Sequence, residues 1–124
     1  MEKISVFLDD YRQPPTGYVL VKTIDECIEL LERYPIHHLS LDHDLTDKRR
    51  NGLMLVQHMV RKGLFAGRIT IHSANSVGGK AMYNHLKTAQ ANFSWPSHVV
   101  LSMRPLPLES YPLRTLKYYV ETYQ

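Results

Sequence analysis

Short apolar runs alternate with longer stretches of helical periodicity along the whole chain, and most of the runs stop at charged or polar residues. Ile4–Leu8 is such a run, of a length that suits a strand buried on both faces, and it stops at Asp9-Asp10. Pro14, Pro15 and Gly17 make the next segment a loop, and Tyr18–Val21 reads as a second strand. Thr23 is placed to cap a helix, with Glu26 closing a capping box; Ile24, Cys27, Ile28, Leu30 and Leu31 form its apolar face and Pro35 ends it. The pattern then predicts a strand over 38–44, a helix over 52–63, a strand over 68–73, a helix over 77–90 capped by Asn75, a strand over 98–103 and a last helix over 111–123.

Strands alternating with helices point to an α/β domain with a mainly parallel sheet. At 124 residues, 44% of them apolar and 22% charged, the chain is one domain, 1–124, with enough apolar surface for a core. No internal repeat is evident, and no apolar run approaches the roughly 18 residues of a membrane span. The first apolar stretch is too short for a secretory leader and ends in two acids. Cys27 is the only cysteine, which excludes an intrachain disulfide and a cysteine-based zinc site; a reducing cytoplasm is the expected compartment. The net charge of +3 permits nucleic-acid binding without requiring it.

In parallel α/β sheets ligands collect at the carboxyl ends of the strands. Here those ends carry Asp9-Asp10, Asp42-His43-Asp44, His72-Ser73-Ala74-Asn75 and Arg104-Pro105. Asp9, Asp10, Asp42 and Asp44 are candidate ligands for Mg2+ or Mn2+, because clustered carboxylates repel unless a cation lies between them. Such an ion polarises a phosphoryl oxygen. Arg12, Ser73, Asn75 and Arg104 are candidates to hold phosphate oxygens. His43 and His72 are candidates for proton transfer, and neighbouring carboxylates are expected to raise their pKa.

Each of these has a plainer reading. An acid after a strand is often a helix cap, although Pro14-Pro15 follow Asp9-Asp10 instead of a helix. Asp42 and Asp44 could be solvated loop acids, Asn75 a cap and Arg104 a surface charge. The run Lys48-Arg49-Arg50 reads as a solvated loop, His37, His38, His58, His85 and His98 as structural or exposed groups, and Tyr118, Tyr119 and Tyr123 as packing or partner contacts. Gly78-Gly79-Lys80 lacks the spacer of an NTPase phosphate loop.

The arrangement resembles the receiver domain of two-component response regulators. Asp9-Asp10, Asp44, Ser73 and Arg104-Pro105 stand where receivers have an acidic pair, the phospho-accepting Asp, a hydroxyl residue and a Lys-Pro, and Gly52 follows Asp44 by the familiar eight residues. The resemblance implies a flavodoxin-like three-layer sandwich with strand order 2-1-3-4-5. Several features depart from it: a loop replaces the first receiver helix, Arg104 replaces the lysine, and Asp42-His43 precede Asp44, so that Asp42 competes for the acceptor place. With Asp9-Asp10-Tyr11-Arg12-Gln13-Pro14, Leu41-Asp42-His43-Asp44-Leu45 and His72-Ser73-Ala74-Asn75, the chain is similar to a divergent group, the cyclic-phosphate processing receiver-like domains. That similarity implies hydrolysis or recognition of a cyclic phosphate on a nucleotide or RNA end. Direct attack by water is the preferred route over an aspartyl-phosphate on Asp44. The alternatives are a stand-alone receiver-type adaptor that binds a protein partner, and an RNA-binding protein without chemistry.

Overall fold

The structure is a computed structural model that describes residues 3–47 and 49–104. The expectations for Lys48, for Pro105 and for a helix over 111–123, with its tyrosines, lie outside the described residues. Eight elements follow in chain order: β1 (Ile4–Leu8), β2 (Tyr18–Val21), α1 (Ile24–Arg33), β3 (Ile36–Leu41), α2 (Gly52–Lys62), β4 (Ala66–Ile71), α3 (Ser76–Ala91) and β5 (Val100–Met103). The five strands are parallel and lie in the order β2-β1-β3-β4-β5, the flavodoxin-like receiver arrangement.

Local signals set the helix ends. The Thr23 side chain accepts from the Glu26 amide and Glu26 accepts from the Thr23 amide, both at 3.2 Å, so the capping box that starts α1 is complete. Asn51 and Asn75 cap α2 and α3. Gly63 stops α2 in the left-handed region, at φ 67°, where glycine carries no Cβ penalty.

Strand order decides where the helices go. The steps β2 to β3, β3 to β4 and β4 to β5 all advance in one direction, so right-handed crossovers put α1, α2 and α3 on one face of the sheet. The contacts of α2 with both α1 and α3 agree. The step from β1 to β2 runs the other way, and its connection is the proline-rich loop, with no helix. Two layers of the sandwich therefore lie within the described residues. On the helix side Val6, Leu8, Leu39, Leu41, Ile69 and Ile71 form a core with α1, α2 and α3, including Cys27.

The strand bounds differ from the sequence pattern in a consistent way. Strands β3 and β4 start two residues earlier than the pattern predicts, because Ile36 pairs with Ala66, and they stop at Leu41 and Ile71. Strand β5 starts two residues later, at Val100. The polar residues assigned to the ends of β3 and β4 thus fall just beyond them. Among the described residues no helix is long and apolar enough to cross a membrane.

Candidate functional site

Four residues occupy the same structural position, one step past the end of a strand. Each donates a last ladder hydrogen bond to the neighbouring strand: Asp9 to Val21 O (3.0 Å), Asp42 to Leu8 O (3.1 Å), His72 to Leu41 O (2.9 Å) and Arg104 to Ile71 O (3.0 Å). These bonds hold the backbone in sheet register, so the period of two still governs side-chain direction. Asp9 follows Phe7, Asp42 follows Ser40, His72 follows Thr70 and Arg104 follows Ser102, all on the face opposite the helices.

Three of the four converge. Asp9, Asp42 and His72 are each 0–1% exposed, and each offers a ligand atom within 4.8 Å of the other two. His72 Nε2 lies 3.1 Å from Asp9 Oδ2, and its Nδ1 lies 2.7 Å from Ser40 Oγ. The Phe7 ring is stacked parallel to the imidazole with centroids 4.4 Å apart. Asp9 Oδ1 accepts from the amides of Tyr11 (2.8 Å) and Arg12 (3.0 Å), which fixes the start of the proline-rich loop. Asp42 Oδ1 accepts from the His43 amide at 2.8 Å.

Burial, and then the charge of Asp9, push the Asp42 carboxyl well above the usual carboxylate range; the His43 amide and the Ser73 hydroxyl oppose this without reversing it. Burial also lowers the His72 imidazole, with the bond to Asp9 opposing and Arg12 assisting. The expectation that neighbouring carboxylates raise His72 is therefore corrected. The charges are readable in the sequence, but the depth of burial that outweighs them is not.

Apart from Arg12 and Arg104, the remaining candidates lie outside this cluster, toward the helix side. Asp10 is one residue out of phase with Asp9. Its Oδ2 accepts from the Thr46 amide, its Oδ1 is buried without a hydrogen-bond partner, and it lines a separate cavity of about 440 Å³ with Lys22, Asp47 and Arg50. Asp10 is thus outside the Asp9–Asp42–His72 cluster, unlike the pair expected from the sequence. Asp44 accepts from Asn75 Nδ2 at 3.0 Å and lies 2.6 Å from His43 Nδ1. Asn75 also caps α3 through the Gly78 amide (2.9 Å), and its own amide donates to Ser73 Oγ (3.0 Å). Ser73 stands between the two groups: it accepts from the Asn75 amide, and its hydroxyl opposes the upward shift of the Asp42 carboxyl.

Two glycines permit this packing. A Cβ on Gly78 would stand 2.5 Å from Cγ and Nδ1 of the His43 ring, which lies against the first turn of α3. A Cβ on Gly52 would collide with the Asp42 carbonyl, and the Gly52 amide donates to His43 O at 2.9 Å. The eight-residue spacing from Asp44 to Gly52 thus has a steric cause. Helix α2 starts in contact with the backbone of the acidic loop.

Beside the cluster runs a groove of about 900 Å³ on the face opposite α1, α2 and α3. Arg12, His72 and Arg104 line the end at the cluster; Tyr18, His38 and Arg68 line the other. Its floor is a hydrogen-bonded row. Tyr18 Oη bonds His38 Nδ1, His38 Nε2 lies 2.8 Å from Thr70 Oγ1, and Thr70 Oγ1 lies 3.1 Å from Ser102 Oγ. His38, which the sequence marks as structural or exposed, lines this groove, and so does Arg68, which no motif singles out. The alternation His38, Ser40, Asp42 and Arg68, Thr70, His72, interleaved with Leu39, Leu41, Ile69 and Ile71, is the signal that marks them.

Residues 4–88 match the family described as the cyclic-phosphate processing receiver domain. The chain belongs to that family. Comparison with curated proteins and with solved structures gave no match. The matched span contains Asp9, Arg12, Asp42, His43, Asp44, His72, Ser73 and Asn75, and stops short of Arg104.

Proposed function

We propose that this receiver-like domain is a metal-assisted phosphoesterase that opens a cyclic phosphate on a nucleotide or RNA end. The carrying observation is the convergence of two carboxylates and an imidazole, all buried, with the imidazole lining one end of a groove that also carries arginines. Two buried acids side by side are unfavourable without a cation or a shared proton. The donor set suits a divalent ion, and the imidazole favours Mn2+ over Mg2+. Asp9 and Asp42 would hold it with His72 Nε2. Ser40 is then the outer partner that orients the ring through Nδ1. When bound, the ion would polarise the phosphoryl group and lower the pKa of a water.

The chain's own residues supply the rest. Arg12 and Arg104 flank His72 in the groove and would hold the non-bridging phosphate oxygens. Water adds to phosphorus and gives up a proton, the bond to one ribose oxygen breaks, and that oxygen takes up a proton, so that H and OH are added across the broken P–O bond. We assign that proton to His43, which Asp44 orients. Ser73 and Asn75 position these groups, Ser73 at Asp42 and Asn75 at Asp44.

The test is incubation with 2′,3′- and 3′,5′-cyclic nucleotides and cyclic-phosphate-ended RNA, with Mn2+, Mg2+ or EDTA, followed by chromatography. Ring opening that needs the ion and is lost in Asp42→Asn supports the reading. A folded protein that opens none of them rejects it in favour of the receiver-type adaptor.

A further inference from the structure

The groove is longer than a phosphate site requires. His72 and Arg68 lie four residues apart along one strand line and on the same face, which separates their Cα atoms by about 13 Å. Among the described lining residues there are three arginines, Arg12, Arg68 and Arg104, and no carboxylate. Arg12 and Arg104 stand at the cluster. Arg68 stands alone at the far end, solvent-exposed, next to His38 and the partly exposed Tyr18. Among the described residues Arg68 takes part in no ion pair. Arg68 lines the groove beside His38, its register partner across β3 and β4.

A free cyclic mononucleotide has one phosphate, and it would be held at Arg12 and Arg104. Nothing in that ligand calls for a guanidinium at the other end. A nucleotide chain ending in the cyclic phosphate places a further phosphodiester along the groove, where a cation with no acid beside it is the matching group. Tyr18 offers a ring next to it for an intervening base.

We propose that Arg68, with His38 and Tyr18, forms a second phosphate subsite that selects an oligonucleotide end over a free cyclic mononucleotide. This inference rests on the phosphoesterase reading of the Asp9–Asp42–His72 cluster and names the length of its substrate.

The experiment compares mono-, di- and trinucleotides with the same 2′,3′-cyclic phosphate end. Equilibrium binding is measured by competition against a labelled trinucleotide, and ring opening is followed in parallel with Mn2+. The wild-type protein binds the trinucleotide about ten-fold more tightly than the mononucleotide, the worth of one charge-assisted contact. Arg68→Gln, at an exposed position, melts like wild type, loses that length preference and leaves the mononucleotide unchanged. For the trinucleotide, the slope of log affinity against log salt shrinks by about 0.7 in the variant, as expected for one phosphate contact on a single strand. Equal affinity at all lengths, or an Arg68→Gln loss equal for mono- and trinucleotide, overturns the subsite while leaving the phosphoesterase reading in place. Absence of binding and of ring opening at every length overturns both.

Discussion

The two faces of this sheet are built from the same strands and do opposite work. On the helix side Leu39, Leu41, Ile69 and Ile71 are 0–1% exposed and meet only apolar neighbours from α1, α2 and α3. One residue out of phase, Ser40, Asp42, Thr70 and His72 are almost as deeply buried and meet hydroxyls, carboxylates and imidazoles. Parallel sheets usually bury apolar surface on both sides. Here one parity supplies the core and the other supplies a satisfied polar floor beside the candidate site. Core and polar floor thereby take alternate residues of β3 and β4.

The largest effect that could break this division is a pair of adjacent truncations. Leu39→Ala should cost about 2–5 kcal/mol through lost burial and a cavity. Ser40→Ala should cost about 1 kcal/mol, the worth of one hydrogen bond. Chemical denaturation of the two variants measures both, and equal losses would remove the distinction between the faces.

The next test concerns the point where the faces meet. An exposed Gly→Ala change inside a helix is normally favourable by about 1 kcal/mol. At Gly78 the new Cβ would press on the His43 ring, so Gly78→Ala should instead destabilise by about 1–3 kcal/mol, read as a lowered Tm. A raised Tm would mean that His43 does not rest on α3.

A smaller effect follows from His38. Burial first, then Arg68 and His37, hold its imidazole below the ordinary value of 6.5. The unfolded chain then takes up the proton more readily than the folded one. The stability from the neutral ring is present above pH 6.5 and is lost as the pH falls below it. His38→Gln should flatten the stability profile in that window, and an unchanged slope would contradict the placement. The smallest effect is at Cys27, whose thiol burial pushes up to about 12. In the native protein it should resist thiol reagents at neutral pH and react at the rate of unfolding. Rapid labelling of the folded chain would contradict its place in the core.

The sequence made the strand ends legible because apolar runs break off at charged residues, as at Leu8-Asp9 and Leu41-Asp42. The helix caps were legible from Thr23 and Asn75. Phase was harder to see. Asp9 and Asp10 look equivalent in a list of acids, yet a period of two sends them to opposite sides of the sheet. For the same reason His38 reads as a structural or exposed group and Arg68 as an ordinary strand residue, although His38 shares parity with Asp42 and Arg68 with His72. The depression of His72 could not be read either, since it comes from depth and not from a neighbour in sequence.

In the proposed function the polar parity of the strand ends, Asp9, Asp42 and His72, forms the divalent-ion site. The most direct measurement is Mn2+ binding by calorimetry in wild type, Asp42→Asn and Asp10→Asn, each checked for a native melt. The account predicts binding in wild type, its loss in Asp42→Asn and its retention in Asp10→Asn. Retention in Asp42→Asn with loss in Asp10→Asn would contradict it and place the ion on the helix side of the sheet.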